Sequence, residues 1–227
     1  MKEIARIQNI NKELLDWYLS LENRDKYTNP YLIMPDESYF KSKIKIVTLG
    51  KETNGWGEYE SYTTQEELES LYVDKIIQKN FRECNFPYWK FCFNNLMPCL
   101  PENTGLCFAN VALLGYRYGN KGYDTKLAPE LGIFLKKYLD ILSPDIIICL
   151  TGFGTKNGSL NYSRILESIF GTYHPENNIP MYDGKHPLYK LSFASNANIY
   201  GTRHPQGTSN KWRENFSKYI VDIINTL

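Results

Sequence analysis

Three residues in this chain have the types and settings from which chemistry can be built: Glu52, Asn110 and His204. Glu52 stands just beyond the short β-branched run of Ile44, Ile46, Val47 and Leu49, within the sequence GKETNGWG. A carboxylate there can hold an attacking water or stabilise a cationic sugar transition state, as carboxylates do in glycosidic-bond cleavage. Asn110 interrupts the apolar run LCFANVALL. An amide in such a run needs partners, because leaving it buried and unpaired costs about 1–3 kcal/mol. Those partners are either a loop backbone or the donor–acceptor edge of a nucleobase. His204 follows the last short apolar segment and precedes the final helical stretch. A neutral imidazole in that place can donate to a developing anion. His174 and His186 lack such a setting and are given no role.

Supporting groups surround these three. Gly50 permits close approach of a ligand, and Asn54 and Trp56 add an amide and an indole to the same loop. Trp56, Tyr88 and Trp89 are candidates to stack on a flat ligand, or are simply core.

The elements that must position these groups can be read from periodicity. Apolar residues recur at helical spacing over residues 3–22 and read as one or two amphipathic helices. Residues 23–42, with Pro30 and Pro35, read as a connecting loop. Buried strands are expected up to Leu49, over Leu106–Leu114, over Asp145–Leu150 and over Asn198–Thr202, with an extra strand at Tyr189–Phe193. Helices are expected over 64–82, 87–96, 129–142, 159–170 and 209–226. The first of these opens with a capping box of Thr64 and Glu67, and the last is capped by Ser209 or Asn210. Strands alternating with helices predict a three-layer αβα sandwich around a mainly parallel, four-stranded central sheet. The whole chain, 1–227, reads as a single domain with a helical extension over about 1–42. In such a fold the ligand sits beyond the carboxyl ends of the strands, so four strand ends can converge on one cleft.

Composition narrows the function. The net charge of +1 excludes a generally basic nucleic-acid coat but permits a local basic patch. No stretch is long and apolar enough for a membrane span, and a cytoplasmic monomer is expected. Five cysteines, an odd number with no Cys-x-x-Cys, read as buried free thiols. No cofactor or metal is called for. There is neither a Gly-x-Gly-x-x-Gly after a strand nor a P-loop motif, which argues against dinucleotide or P-loop chemistry.

Gly50-Lys51-Glu52 after a strand, Asn110 in a later strand, and a last strand running into His204-Pro205 together resemble the uracil-DNA glycosylase superfamily. The resemblance covers about residues 43–215 and implies an αβα sandwich that binds a nucleotide flipped out of DNA. It implies that Glu52 handles the water, that Asn110 reads the base with Gly50, Asn54 and Trp56 around it, and that His204 supports the departing base. It also implies that Lys51, Arg203, Gln206, Lys211 and Arg213 hold the DNA backbone. The chain departs from the family's pattern in three ways. Glu52 stands for the usual Asp or Asn, Thr53 replaces a proline, and Gln206-Gly207 follow His-Pro without the common serine or an apolar wedge. The expected activity is therefore excision of uracil or a modified pyrimidine, in DNA repair or in defence against modified foreign DNA. Two other functions fit the same residues: a module that binds modified DNA without turnover, and an α/β enzyme acting on free nucleosides or nucleotides.

Overall fold

The computed structural model describes residues 2–53, 56, 62–78, 86–117, 122–152, 160–180, 188–195, 198–206 and 208–227. Its centre is a mixed six-stranded sheet in the order β2-β1-β3-β6-β5-β4, flanked by helices, which makes the chain an α/β protein. Strands β1 (Ile44–Glu52), β2 (Thr104–Ala112), β3 (Ile146–Cys149) and β6 (Ile199–Gly201) run parallel. The expected four-stranded sheet is these four, and the correction lies at the edge. There β4 (Ile179–Pro180) and β5 (Tyr189–Lys190) add two antiparallel strands. β5 falls within the extra strand expected at Tyr189–Phe193, whereas β4, two residues long, is too short for any periodicity to mark it.

The parallel strands form because their residues are apolar on both faces. Ile46, Val47 and Leu49 of β1 and Ile146, Ile148 and Cys149 of β3 are all fully buried. β1 does not stop at Leu49. It continues through Gly50, Lys51 and Glu52, with Gly50 paired to Asn110 and Glu52 to Ala112. Backbone pairing thus carries Glu52 on the strand itself, where the sequence had suggested a loop.

The helices follow the apolar stripes. In α1 (Lys2–Leu19) Ile7, Ile10, Leu14, Leu15 and Tyr18 face inward, and the helix packs on α5 (Ala128–Leu142) and α3 (Gln65–Tyr72). Thr64 and Glu67 make the expected capping box at the start of α3. That helix is shorter than expected and passes into a π-type turn at Val73–Ile77. The helix expected over 87–96 is likewise divided, into α4 (Pro87–Phe91) and a second π-type turn at Cys92–Leu96. α6 (Leu160–Phe170) packs on α5, and α7 (Asn210–Ile224) packs on the Cys92–Leu96 turn, with Phe216 edge-on to Phe91 at 5.3 Å. The Ser209 hydroxyl caps α7 by accepting from Trp212 N at 3.2 Å.

The segment between α1 and β1 is not a simple connection. It contains the short helix α2 (Glu37–Lys41), and residues 27–33 are buried alongside the chain that follows β2. Thr28 N donates to Gly115 O and Tyr31 N to Leu113 O, each at 2.9 Å. Cys92, Cys107 and Cys149 are buried free thiols and Cys99 is exposed; Cys84 lies outside the described residues. Burial pushes the Cys107 and Cys149 thiols up to about 12, so they stay protonated and inert. No helix among the described residues is long and apolar enough to cross a membrane.

Candidate active site at the carboxyl edge of the sheet

The strand order fixes which residues can meet. β1 connects to β2 on one side, while β3 and β6 lie on the other, so the order reverses at β1. Ligands in open α/β sheets bind in the crevice at such a reversal. The register aligns the strand ends. Leu49 pairs with Cys149 and Cys149 with Gly201, so Lys51, Thr151 and Arg203 follow at one level, two residues beyond each. The backbone continues this alignment, since Leu150 N donates to Leu49 O at 2.9 Å and Thr202 N to Cys149 O at 3.0 Å.

On β2, Asn110 is 8% exposed and stands directly beside Gly50. Its amide makes no hydrogen bond among the described residues. A Cβ at position 50 would lie 2.4 Å from Asn110 Oδ1 and 3.4 Å from the Tyr88 ring. Glycine is therefore required for the amide and the ring to come this close. Tyr88 is held in turn by a 3.0 Å hydrogen bond between its hydroxyl and Thr48 Oγ1. Gly50, Asn110, Tyr88 and Thr48 thus form one contiguous group, with the Asn110 amide at its centre.

His204 joins this surface through Tyr88, whose ring is near-parallel to it with centroids 6.3 Å apart. Burial, then the charges of Lys51 and Arg203, push its pKa down to about 4. The imidazole is neutral near pH 7. Its Nδ1 accepts from Gln206 N at 3.2 Å, so the proton of the neutral ring sits on Nε2. His204 therefore presents an N–H donor without carrying charge.

Glu52 is partly buried, and both of its oxygens are engaged. Gly122 N donates to Oε1 at 3.2 Å, and the Tyr162 hydroxyl donates to Oε2. Neither partner was legible in the sequence, since they lie 70 and 110 residues away. The neighbouring Thr53 hydroxyl meets Thr28 Oγ1 at 2.5 Å, anchoring the end of β1 to the 27–33 segment.

The other expected residues are placed less uniformly. Trp56 is 7% exposed and packs against Tyr31 with centroids 4.5 Å apart, so it belongs to the core and Tyr88 takes the place next to the amide. Asn54 lies outside the described residues. Lys51, Arg203 and Arg213 are partly buried, and Gln206 and Lys211 are exposed. Arg203 Nη2 donates to Gln206 O at 3.4 Å, and Arg213 Nε donates to Thr208 Oγ1 at 3.1 Å. Lys51, Arg203 and Gln206 sit at the strand ends or just beyond them, and Lys211 and Arg213 lie in the first turn of α7, which the chain enters after His204. Among the described residues no group of three His, Cys, Asp or Glu side chains is arranged to hold a metal ion. A groove of about 770 Å³ lies at the opposite, amino end of the sheet, lined by Lys43, Asn103, Thr104, Asp145 and Asn198 among others. None of Glu52, Asn110 or His204 lines it.

No protein-family model matches the chain, and neither does any curated protein.

Proposed function

We propose that this chain is a DNA glycosylase that hydrolyses the N-glycosidic bond of a flipped-out uracil or modified pyrimidine. On this reading it is a divergent relative of the uracil-DNA glycosylase superfamily, and its sheet is the middle layer of an αβα sandwich. The observation that carries the reading is the amide of Asn110. It belongs to a residue only 8% exposed and is set against Gly50 beside the ring of Tyr88. A base edge bringing both a donor and an acceptor can pair with both ends of such an amide.

The reaction then divides among three groups. The bond between sugar carbon and base nitrogen breaks with its electron pair going to the base. A water oxygen bonds the sugar carbon, and the proton it loses passes to Glu52. The base leaves as an anion whose oxygen accepts from the Nε2–H of His204. Because this imidazole is neutral, it stabilises the anion by hydrogen bonding in a partly buried site rather than by giving up its proton. Lys51, Arg203, Lys211 and Arg213, with Gln206 and the N-terminus of α7, hold phosphates on either side of the flipped nucleotide.

The test is an excision assay on single- and double-stranded oligonucleotides carrying uracil, mismatches or bulky modified pyrimidines, read as free base and alkali-sensitive breaks. Cleavage of at least one, lost in Glu52→Gln and in His204→Ala, is expected. Absence of product with every substrate overturns the reading. One observation favours a second reading, a module that binds modified DNA without turnover: both Glu52 oxygens already accept hydrogen bonds. Such a module retains the same oligonucleotides in a binding assay and releases no base.

A further inference from the structure

The two bonds to Glu52 come from different connections of the sheet. Gly122 belongs to the segment after β2, and its φ of +98° lies in the region that favours glycine. Tyr162 sits in the first turn of α6, which follows β3. The phenol is 4% exposed, and its ring packs on Tyr123 with centroids 5.5 Å apart. Packing therefore sets where the hydroxyl points, and it points at Oε2 of Glu52. Room for the carboxylate's stem comes from Gly115, where a Cβ would lie 3.3 Å from Glu52 Cγ and 2.6 Å from Thr53 O.

We infer that Tyr162 is a positioning residue for Glu52: its hydroxyl donates to Oε2 and fixes the carboxylate at the mouth of the crevice, in place to accept the water's proton. A carboxylate oxygen has two lone-pair sites, so one bond to each oxygen holds the group and still leaves a site on each for water. The hydroxyl remains a donor over the working pH range, because burial and then the Glu52 charge push its own pKa well up. The charged and titratable groups around this pair are Lys51 on the same strand, Tyr162 and Tyr123 from the two connections, and Arg164, which is exposed on α6 and acts on Tyr123. The consequence for turnover rests on the glycosylase reading, whereas the effect on the carboxylate does not.

Tyr162→Phe tests this, since it removes the donor and keeps the ring packed on Tyr123. Losing the donor frees the carboxylate to sample other rotamers. Carbon-13 relaxation of the Glu52 side chain in the free protein should therefore show a loss of order in the variant. In excision assays kcat should fall about tenfold while KM changes less than about twofold. Thermal melting of the variant checks that the fold is retained. Unchanged order at Glu52 together with an unchanged kcat in Tyr162→Phe overturns the inference and leaves Tyr162 a structural tie between α6 and the sheet. If the unaltered chain cleaves no oligonucleotide, the glycosylase reading fails instead, and the order of the Glu52 side chain still decides whether Tyr162 holds it.

Discussion

At the scale of the residue, the site is defined by what is missing as much as by what is present. Gly50 has no side chain, and that absence lets Asn110 Oδ1 stand where a Cβ would be 2.4 Å away. Gly50→Ala should therefore push the amide out of line while leaving the strand paired. A displacement of about 1 Å at a positioning group costs up to about 10²-fold in rate. Excision by Gly50→Ala should fall by about that factor in single-turnover assays, with only a small change in melting temperature. His204 gives a second prediction, through pH. Its pKa is lowered from 6.5 to about 4, so between those values the unfolded chain binds a proton that the folded chain does not. Stability from this residue is full above about pH 6.5 and is lost as pH falls toward 4. Denaturant titrations from pH 4 to 7 should show that decline, and His204→Ala should flatten it. The rate of excision should show no inflection near 6.5, because the working form of the ring is neutral there.

At the scale of the element, helices α1, α3 and α5 are joined by a buried polar network. Asn11 is fully buried and donates to Ile33 O at 3.1 Å and to Glu69 Oε1 at 2.8 Å. The Tyr138 hydroxyl donates to Asn11 Oδ1 at 2.5 Å, and Gln65 Nε2 reaches Glu69 Oε1 at 2.6 Å. Asn11→Ala leaves the Tyr138 hydroxyl and the Ile33 carbonyl without this partner. It should destabilise the fold by about 1–3 kcal/mol in denaturant unfolding, with excision per folded molecule unchanged. This network also shows where sequence reading ends. The stripe of Ile7, Ile10, Leu14 and Leu15 announces α1, and the apolar run of β3 announces a buried strand, because periodicity is local. Glu69 and Tyr138 look like ordinary members of their own helices, since their partners are fixed only by packing. The site divides in the same way. Glu52, Asn110 and His204 were legible because each breaks or follows an apolar run. Tyr88 was one aromatic among several in PYWKFCF, and the face it turns to Gly50 is not written in that run. Trp56 shows the converse, an aromatic beside the site whose ring is taken by the core. The two π-type turns were hidden too, since their apolar residues keep a helix-like spacing while the backbone widens.

At the scale of the whole molecule, charge and topology have to be weighed together. A net charge of +1 over 227 residues gives no general attraction to a polyanion. The parallel order of β2, β1, β3 and β6 nevertheless brings Lys51 and Arg203 to one edge, and the chain that continues from β6 adds Lys211 and Arg213 at the start of α7. The first turn of α7 contains no acidic residue to oppose the helix dipole. Cations elsewhere are differently disposed: Lys12, Lys41 and Lys136 each pair with an acid one helical turn away. Binding to nucleic acid should accordingly be local and steeply dependent on salt. Each phosphate neutralised contributes a slope of about −0.9 in log K against log salt for duplex and about −0.7 for single strands. Fluorescence anisotropy with a labelled oligonucleotide between about 50 and 200 mM salt measures that slope. Lys211→Gln should reduce its magnitude by about 1 and weaken binding equally for every sequence. Lys136→Gln, which removes a charge already paired with Asp140, should leave the slope where it was. Equal effects of the two substitutions would mean that the protein's overall charge, and not the carboxyl edge of its sheet, meets the phosphates.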